Sequence, residues 1–228
     1  VDESDGSIAL YRPTIAVLNN VSLDHKSLEE LRVLFGDFVA HAQTAVINIA
    51  DPEAAALADA VPAERRLTVA IDAAADLSAC NIVEAPFAVA FDLSEGGAPP
   101  VRVALQVPGR HNVANALAAI GAVRAAGISL AEAVDAIGGF KGLKRRFDLV
   151  GEAHGVAVID DFGHNPDKIA ATLDTLHAFP GRLLVLFQPH GYGPLKVMRA
   201  ALVDSFAERL REGDLLVLPD PVYLGGTV

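Results

Sequence analysis

Short apolar runs alternate with longer stretches of helical periodicity along most of the chain. Thr14-Ile15-Ala16-Val17-Leu18 is β-rich and reads as a strand that ends in a polar loop, Asn19 to Lys26. Leu28, Leu31, Leu34, Phe35 and Phe38 then recur at helical spacing and predict a helix from about Ser27 to His41. Ala45 to Ile49 is a second strand, and Asp51-Pro52 opens a helix with Asp as cap and Pro in the first turn. Leu67 to Ile71 is a third strand. From Ala79 to Val107 the pattern changes to short β segments, Pro86 to Phe91 and Val101 to Leu105, around a Gly/Pro-rich turn at Glu95 to Pro100. Two helices follow, roughly Asn112 to Ala126 and Ser129 to Ile137. The second carries Glu132 three residues after Ser129, which is capping-box spacing.

Gly138 to Arg146 is glycine-rich and basic, and it is the best linker candidate in the chain. Beyond it the alternation restarts: a strand at Val156 to Ile159, a helix at Pro166 to Ala178, a strand at Leu183 to Phe187. A helix of about Leu195 to Arg211 and a strand at Leu215 to Leu218 complete it. Strands alternating with helices imply parallel sheets with helical crossovers. The fold class is therefore α/β, with two units joined near residue 145: residues 1–145 and 146–228. No internal repeat of fixed period is visible.

Composition narrows what such a chain can do. Its 228 residues hold 18 Lys+Arg against 29 Asp+Glu, a net charge of −11, which argues against a grip on nucleic-acid backbone. Phosphate ligands remain open, because local cations and backbone N–H groups hold them even in an acidic protein. The lone cysteine, Cys80, excludes an internal disulfide framework. The first residues, Val1-Asp2-Glu3-Ser4-Asp5, are acidic where a signal peptide is basic and then apolar. No stretch reaches the ~20 uncharged apolar residues of a membrane span. A cytoplasmic protein that binds neither membrane nor nucleic acid is expected. The chain starts without Met and finishes on the loop-like Tyr223 to Val228, so it is expected to be cut from something longer.

Ligands of open α/β sheets gather beyond the carboxyl ends of strands. Unusual polar residues stand in four such loops: Asn19 to His25, Pro108 to Asn115, Asp160 to Pro166 and Gln188 to Pro194. Each also has an ordinary structural explanation. Asn112 is a good N-cap, Asp161 a candidate cap for the helix at Pro166, and Lys144-Arg145-Arg146 a solvated basic stretch. Standard fingerprints are missing: no G-x-G-x-x-G, no H-E-x-x-H, no G-x-S-x-G, and not one Gly-Lys dipeptide for a Walker-A loop. The residues alone thus indicate a two-domain α/β protein that binds a small ligand.

Taken together and in order, these segments resemble the Mur ligase family. They are Asp2-Glu3-Ser4-Asp5, Asn20-Val21-Ser22-Leu23-Asp24-His25, Gly109 to Ala116 with its HNxxN pattern, Arg145-Arg146-Phe147, Asp160 to Pro166 (DDFGHNP), and Phe187-Gln188-Pro189-His190. The resemblance covers nearly the whole chain. Its DESD opening and FQPH segment are most similar to the branch that adds L-alanine to UDP-N-acetylmuramate and to its tripeptide-adding recycling relative. It implies a central P-loop-type ATPase domain, mostly parallel sheet with helices, followed by a partial Rossmann-like C-terminal domain, both truncated. It implies ATP and Mg²⁺, a UDP-N-acetylmuramate-type substrate, and an amino acid or peptide acceptor.

Such ligases phosphorylate a carboxylate with ATP and let an amine attack the acyl phosphate. That needs positioning and charge stabilisation rather than a covalent nucleophile, in agreement with the absence of a nucleophile–base pair. By the same resemblance His111, Asn112 and Asn115 contact adenine. Arg146 and Asp161 reach the phosphate or ribose side of the nucleotide. His164 and Asn165 face the reaction centre or the incoming amine when the domains close. His25 holds Mg²⁺, an unexpected ligand for an oxygen-preferring cation.

The chain also departs from the family pattern. The phosphate-binding loop with its Lys belongs upstream of Val1, as do a metal-binding Glu and the UDP-sugar domain. Gly191 follows FQPH where the alanine-adding branch has Arg, and His164-Asn165 stands where that branch has His-His. These differences leave the acceptor open and imply that the fragment alone is inactive. Two other readings compete: a stand-alone adenine-nucleotide-binding module, and a dehydrogenase-like dinucleotide binder, which the missing glycine fingerprint opposes.

Overall fold

The computed structural model describes residues 7–22, 26–189 and 192–220. It divides into two compact units, Val1–Lys141 and Gly142–Val228.

The first unit is built on a six-stranded sheet in sequence order: β1 (Ile15–Leu18), β2 (Thr44–Asn48), β3 (Arg66–Ile71), β4 (Leu77–Ala85), β5 (Ala88–Glu95) and β6 (Val101–Leu105). β1 to β4 pair in parallel; β4, β5 and β6 pair antiparallel. Helices at 28–40 and 52–58 carry the chain from β1 to β2 and from β2 to β3, whereas residues 72–76 alone connect β3 to its parallel neighbour β4. The sheet is mainly parallel, as expected, and its antiparallel part follows from the turn: β4 reaches β5 by two residues, Pro86-Phe87, too short for a crossover. The sequence pattern had run the strand through that turn, and it missed β4 because its outer half is exposed on both faces.

Four helices cover this sheet: α1 (Leu28–Ala40), α2 (Pro52–Ala58), α3 (Arg110–Ala125) and α4 (Leu130–Gly138). Side-chain alternation along β2 separates two cores. Ala45 and Ile47 join Leu31, Val39, Ala54 and Ala58 of α1 and α2, whereas Val46 joins Val113, Leu117 and Ile120 of α3 and Ala133 of α4. Phe91, Leu77 and Leu93 extend the α3 core under the antiparallel strands, each buried apolar side chain contributing about 1.5–3 kcal/mol. Ser129 with Glu132 forms the capping box of α4 and Asp51 caps α2, as their sequences predict; a second capping box, Ser27 with Glu30, starts α1.

The second unit holds a hairpin, β7 (Asp148–Ala153) with β8 (Val156–Asp160), and a parallel pair, β9 (Leu184–Leu186) with β10 (Leu215–Val217). His154 and Gly155 turn the hairpin with φ of 51° and 77°, the type I′ geometry that matches strand twist. β7, exposed along most of its length, carried no alternation to reveal it. Helices α5 (Pro166–Leu176) and α6 (Tyr192–Arg209) pack against β9 and β10 through Ile169, Leu173, Met198, Leu202 and Phe206. No described helix is long and apolar enough to cross a membrane.

Candidate functional site

In the first unit, the carboxyl ends of β1, β2 and β3 meet the N-terminus of α3. That helix opens at Gly109, whose φ of 90° is left-handed backbone that glycine adopts without a Cβ penalty. Asn112 is therefore not the cap, as its capping preference suggested; it is the third helical residue. Its Nδ2 donates instead to the Pro108 carbonyl at 2.7 Å. Asn115, one turn on, donates from Nδ2 to Asn112 Oδ1 at 3.2 Å. Asn19, the first residue after β1, donates from Nδ2 to Asn115 Oδ1 at 2.7 Å. Asn48, the last residue of β2, is buried and donates to the Asn19 carbonyl at 2.9 Å. Four asparagines from two strand ends and one helix thus form one hydrogen-bonded group. His111 is half-buried in the first turn of the same helix.

Two arginines fasten α3 to the sheet. Arg110 pairs with Asp72 beyond β3, and Arg124 near the other end makes a two-pronged pair with Glu95 at 2.6 and 3.2 Å. Gly121 lets the helix lie close, since a Cβ there would stand 2.7 Å from Val46 Cγ1. Both sides of the helix register that aims Asn112 and Asn115 are therefore held.

In the second unit, Arg146, Asp161, His164 and Asn165 are brought together. Asp161 does not cap α5, contrary to one sequence expectation; Asn165 does, its Oδ1 accepting from Lys168 N–H at 2.9 Å. Asp161 instead gathers three donors: Phe147 N–H on Oδ2 at 2.8 Å, and Gly163 N–H at 2.7 Å and Thr172 Oγ1 at 3.1 Å on Oδ1. Glycine at 163 leaves the room for this, because a Cβ there would lie 2.9 Å from Asp161 Oδ1.

Asp161 also restrains strained backbone. Arg145 and Phe147 have φ of 61° and 51°, a left-handed conformation that costs a non-glycine residue about 1 kcal/mol or more. Arg145 N–H donates to Asp148 at 3.2 Å, and Phe162 N–H donates to the Arg145 carbonyl at 2.9 Å. The guanidiniums of Arg145 and Arg146 both lie over the Phe162 ring, at 4.7 and 5.4 Å. Two members of the basic run thus stack on a ring while all three remain exposed to solvent. His164 stands edge-on to the same ring at 5.3 Å. Its Nδ1–H donates to the Phe162 carbonyl at 3.1 Å, since a carbonyl only accepts, which leaves Nε2 with its lone pair in the neutral ring.

Sequence reasoning assigned no role to Asn19, Asn48, Phe162 or Thr172. Asn19 and Phe162 stood inside loops already singled out, but nothing in one sequence says which side chains meet across 96 residues. His25 and His190 lie outside the described residues. Among the described residues no group of three or more His, Cys, Asp or Glu is arranged to hold a metal.

Comparison with known proteins gives a coherent result. Residues 2–123 match the Mur ligase middle domain, and residues 145–222 match the Mur ligase, glutamate ligase domain. The UDP-N-acetylmuramate–L-alanine ligase of a Geobacter species is 35% identical over 233 residues, covering 99% of this chain and 50% of that protein. The enzyme of the same name from Cereibacter sphaeroides is 37% identical over 237 residues, covering 99% and 49%. The chain spans about half the length of the curated relatives it matches. Among solved structures, UDP-N-acetylmuramate-alanine ligase of Thermotoga maritima shares the fold at a TM-score of 0.72 and 23% identity, over 96% of this chain and 54% of that one. MurF of Acinetobacter baumannii does so at 0.76 and 23%, over 91% and 47%. With its middle and C-terminal domains both matched in order, this chain belongs to the Mur ligase family.

Proposed function

We propose that this chain is part of an ATP-dependent carboxylate–amine ligase of peptidoglycan precursor synthesis or recycling, which joins an amino acid or peptide to UDP-N-acetylmuramate. The observation that carries the reading is the pair of linked amides, Asn112 and Asn115, held at the carboxyl edge of the sheet. Each amide still has one N–H and one lone pair for a ligand, and a purine edge is a partner of matching chemistry. The family match across both units favours this reading over a stand-alone nucleotide-binding module.

In this reaction a substrate carboxylate oxygen attacks the γ-phosphorus of ATP, and ADP leaves. The amine nitrogen then adds to the acyl phosphate carbonyl, loses its proton, and expels phosphate as the amide forms. His111, Asn112 and Asn115 hold the adenine. Arg146, stacked on Phe162, meets the phosphates as a charge whose direction is set in advance. Asp161 shapes the ribose and phosphate side through the loop it organises, because its oxygens already hold three donors. His164 Nε2 is the base that takes the amine proton, and Asn165 aims that histidine by capping the helix beside it. Mg²⁺ chemistry would rest on His25. The described residues supply no ready cation site of their own, so no step depends on one here.

Two measurements test the proposal. Asn112→Ala with Asn115→Ala lowers ATP affinity about tenfold or more, the size of one or two lost hydrogen bonds, while NAD binding stays undetectable. Unchanged ATP affinity overturns the adenine assignment. Phosphate release that depends on both ATP and UDP-N-acetylmuramate is expected from the native polypeptide, as long as the host makes it, and not from these 228 residues alone, which contain no Gly-Lys for a γ-phosphate loop. Absence from the native polypeptide overturns the ligase reading, and turnover by the 228 residues overturns their predicted inactivity.

A further inference from the structure

We infer that Asn19 is a positioning residue that sharpens the selectivity of the proposed base site for a 6-aminopurine over a 6-oxopurine, by holding the Asn115 amide against turning over. The inference rests on the adenine reading above and extends it to a residue on a different element of the fold.

An asparagine that is free to rotate about its last torsion exchanges its oxygen and its NH₂ at almost no cost, because the two ends have the same shape. Such a residue serves adenine and guanine equally well. It presents N–H to a ring nitrogen and oxygen to an amino group, or turns over and presents the reverse. Selectivity therefore requires something that prevents the turn.

The hydrogen-bond chain supplies it. At one end stands the Pro108 carbonyl, which can only accept, so Asn112 must face it with Nδ2, at 2.7 Å. Asn112 Oδ1 then faces Asn115, which must donate from its own Nδ2, at 3.2 Å. Asn115 Oδ1 is left facing Asn19, which must donate in turn, at 2.7 Å. Direction passes through three amides, and reversing any one sets two oxygens or two NH₂ groups against each other. A one-way chain of this kind must finish with a surplus acceptor at its open end. Asn19 Oδ1 is that atom: it is buried and has no hydrogen-bond partner. Asn19 itself is held from behind, its carbonyl accepting from buried Asn48 at 2.9 Å. Without Asn19, Asn112 keeps its Pro108 anchor, but Asn115 is held only by its 3.2 Å bond to Asn112, so that turning it over breaks one hydrogen bond rather than two.

The consequence for a ligand is specific. With the chain intact, the remaining N–H and lone pair of each amide stand on set sides. Replacing the 6-amino donor by a 6-oxo acceptor, and N1 by N1–H, inverts the demand and sets donor against donor and acceptor against acceptor. Asn19 touches no part of the base in this account; it acts through Asn115.

The experiment uses two near-isosteric variants of the 228-residue chain. Asn19→Leu removes the donor, and Asn19→Asp replaces it with an acceptor that asks Asn115 to turn. Side-chain ¹⁵N–¹H spectra are recorded first, without nucleotide. Both variants are expected to shift the Asn115 NH₂ resonances, and Asn19→Asp those of Asn112 as well; unchanged resonances in both overturn the inference. ATP and GTP affinities are then compared. The ratio of ATP to GTP affinity is expected to fall about tenfold in either variant, the size of one hydrogen-bond mismatch. A merely structural role would weaken both nucleotides equally and leave the ratio where it was, and that result overturns the inference. Asn115→Ala separates the two layers of the argument. If it abolishes the preference and the Asn19 variants do not, the adenine reading stands and the Asn19 inference falls. If it leaves the preference intact, the adenine reading itself falls and takes the selectivity argument with it.

Discussion

Gly121 offers a test in which two known effects compete and the structure decides the sign. It lies in the middle of α3, where alanine is ordinarily better than glycine by about 1 kcal/mol. On solvent-exposed helix that gain would appear in full. Here a Cβ would stand 2.7 Å from Val46 Cγ1 and 3.2 Å from Leu67 Cδ2. The leucine methyl is the far end of a flexible side chain and can yield. Val46 cannot easily do so, being fully buried in β2 between two paired strands and stiff at χ1. Overpacking of this kind costs about 1–3 kcal/mol. The net expectation for Gly121→Ala is a loss of about 1 kcal/mol.

The same contact predicts how the effect can be reversed. Val46→Ala removes the obstructing methyls, costing about 1.6 kcal/mol in transfer alone with a cavity term added. In that background Gly121→Ala should stabilise by about 1 kcal/mol, a coupling of about 2 kcal/mol between the two positions. Urea unfolding, with hydrogen exchange of the α3 amides to isolate this unit, measures all four corners of the cycle. If Gly121→Ala raises stability in the parent, or if the two changes are additive, the close seating of α3 on β2 is wrong. The outcome also bears on function, because a lifted α3 carries Asn112 and Asn115 away from Asn19.

Other positions give shorter tests. Asp161→Ala leaves the Phe147 and Gly163 N–H groups without their acceptor and should cost the second unit about 2–4 kcal/mol, whereas Asp161→Asn, which keeps one good acceptor oxygen, should cost about half as much. An Asp161→Asn protein as stable as the parent in urea melts would mean that Asp161 serves only to fill space. Asp214 accepts from Leu183 N–H at 2.7 Å and from Arg211 N–H at 2.8 Å, and these bonds, Leu183's first, hold its carboxyl below the usual aspartate value. A lowered folded-state pKa adds stability that is full above the unfolded value near ~3.9 and is lost as pH falls through the folded one. Asp214→Asn should therefore flatten the acid side of the second unit's stability curve, and parallel curves for the two proteins would refute the assignment. Ser27→Ala breaks the capping box of α1 and should cost about 1 kcal/mol, with the loss confined to the first unit in hydrogen exchange.

Much of this architecture is legible in one dimension because its causes are local. Ser27 with Glu30, Asp51 with Pro52, and Ser129 with Glu132 announce helix starts by side chains that bond their own backbone a few residues away. The apolar run of β2 stands out because a parallel strand between two helical layers is buried on both faces. The second half of β4 and all of β7 were illegible for the converse reason. Their outward faces meet solvent and tolerate any residue, so no periodic signal records them.

The candidate site divides along the same line. Order and spacing of GRHNVANA, RRF and DDFGHNP, together with the other matching segments, were enough to identify the family and to select His111, Asn112, Asn115, Arg146, Asp161, His164 and Asn165 as candidates. What those side chains bond to was not contained in that order. Capping preference pointed to Asn112 and to Asp161 as helix caps. The structure gives the first of those places to Gly109, which makes no side-chain cap, and the second to Asn165, whose buried amide accepts from Lys168 N–H; Asn112 and Asp161 make their contacts elsewhere. Local rules act over about four residues and can be read from neighbours in the chain. The link from Asn19 to Asn115, the stacking of two arginines on Phe162, and the seating of Gly121 on Val46 exist only once strands and helices distant in sequence have been packed together.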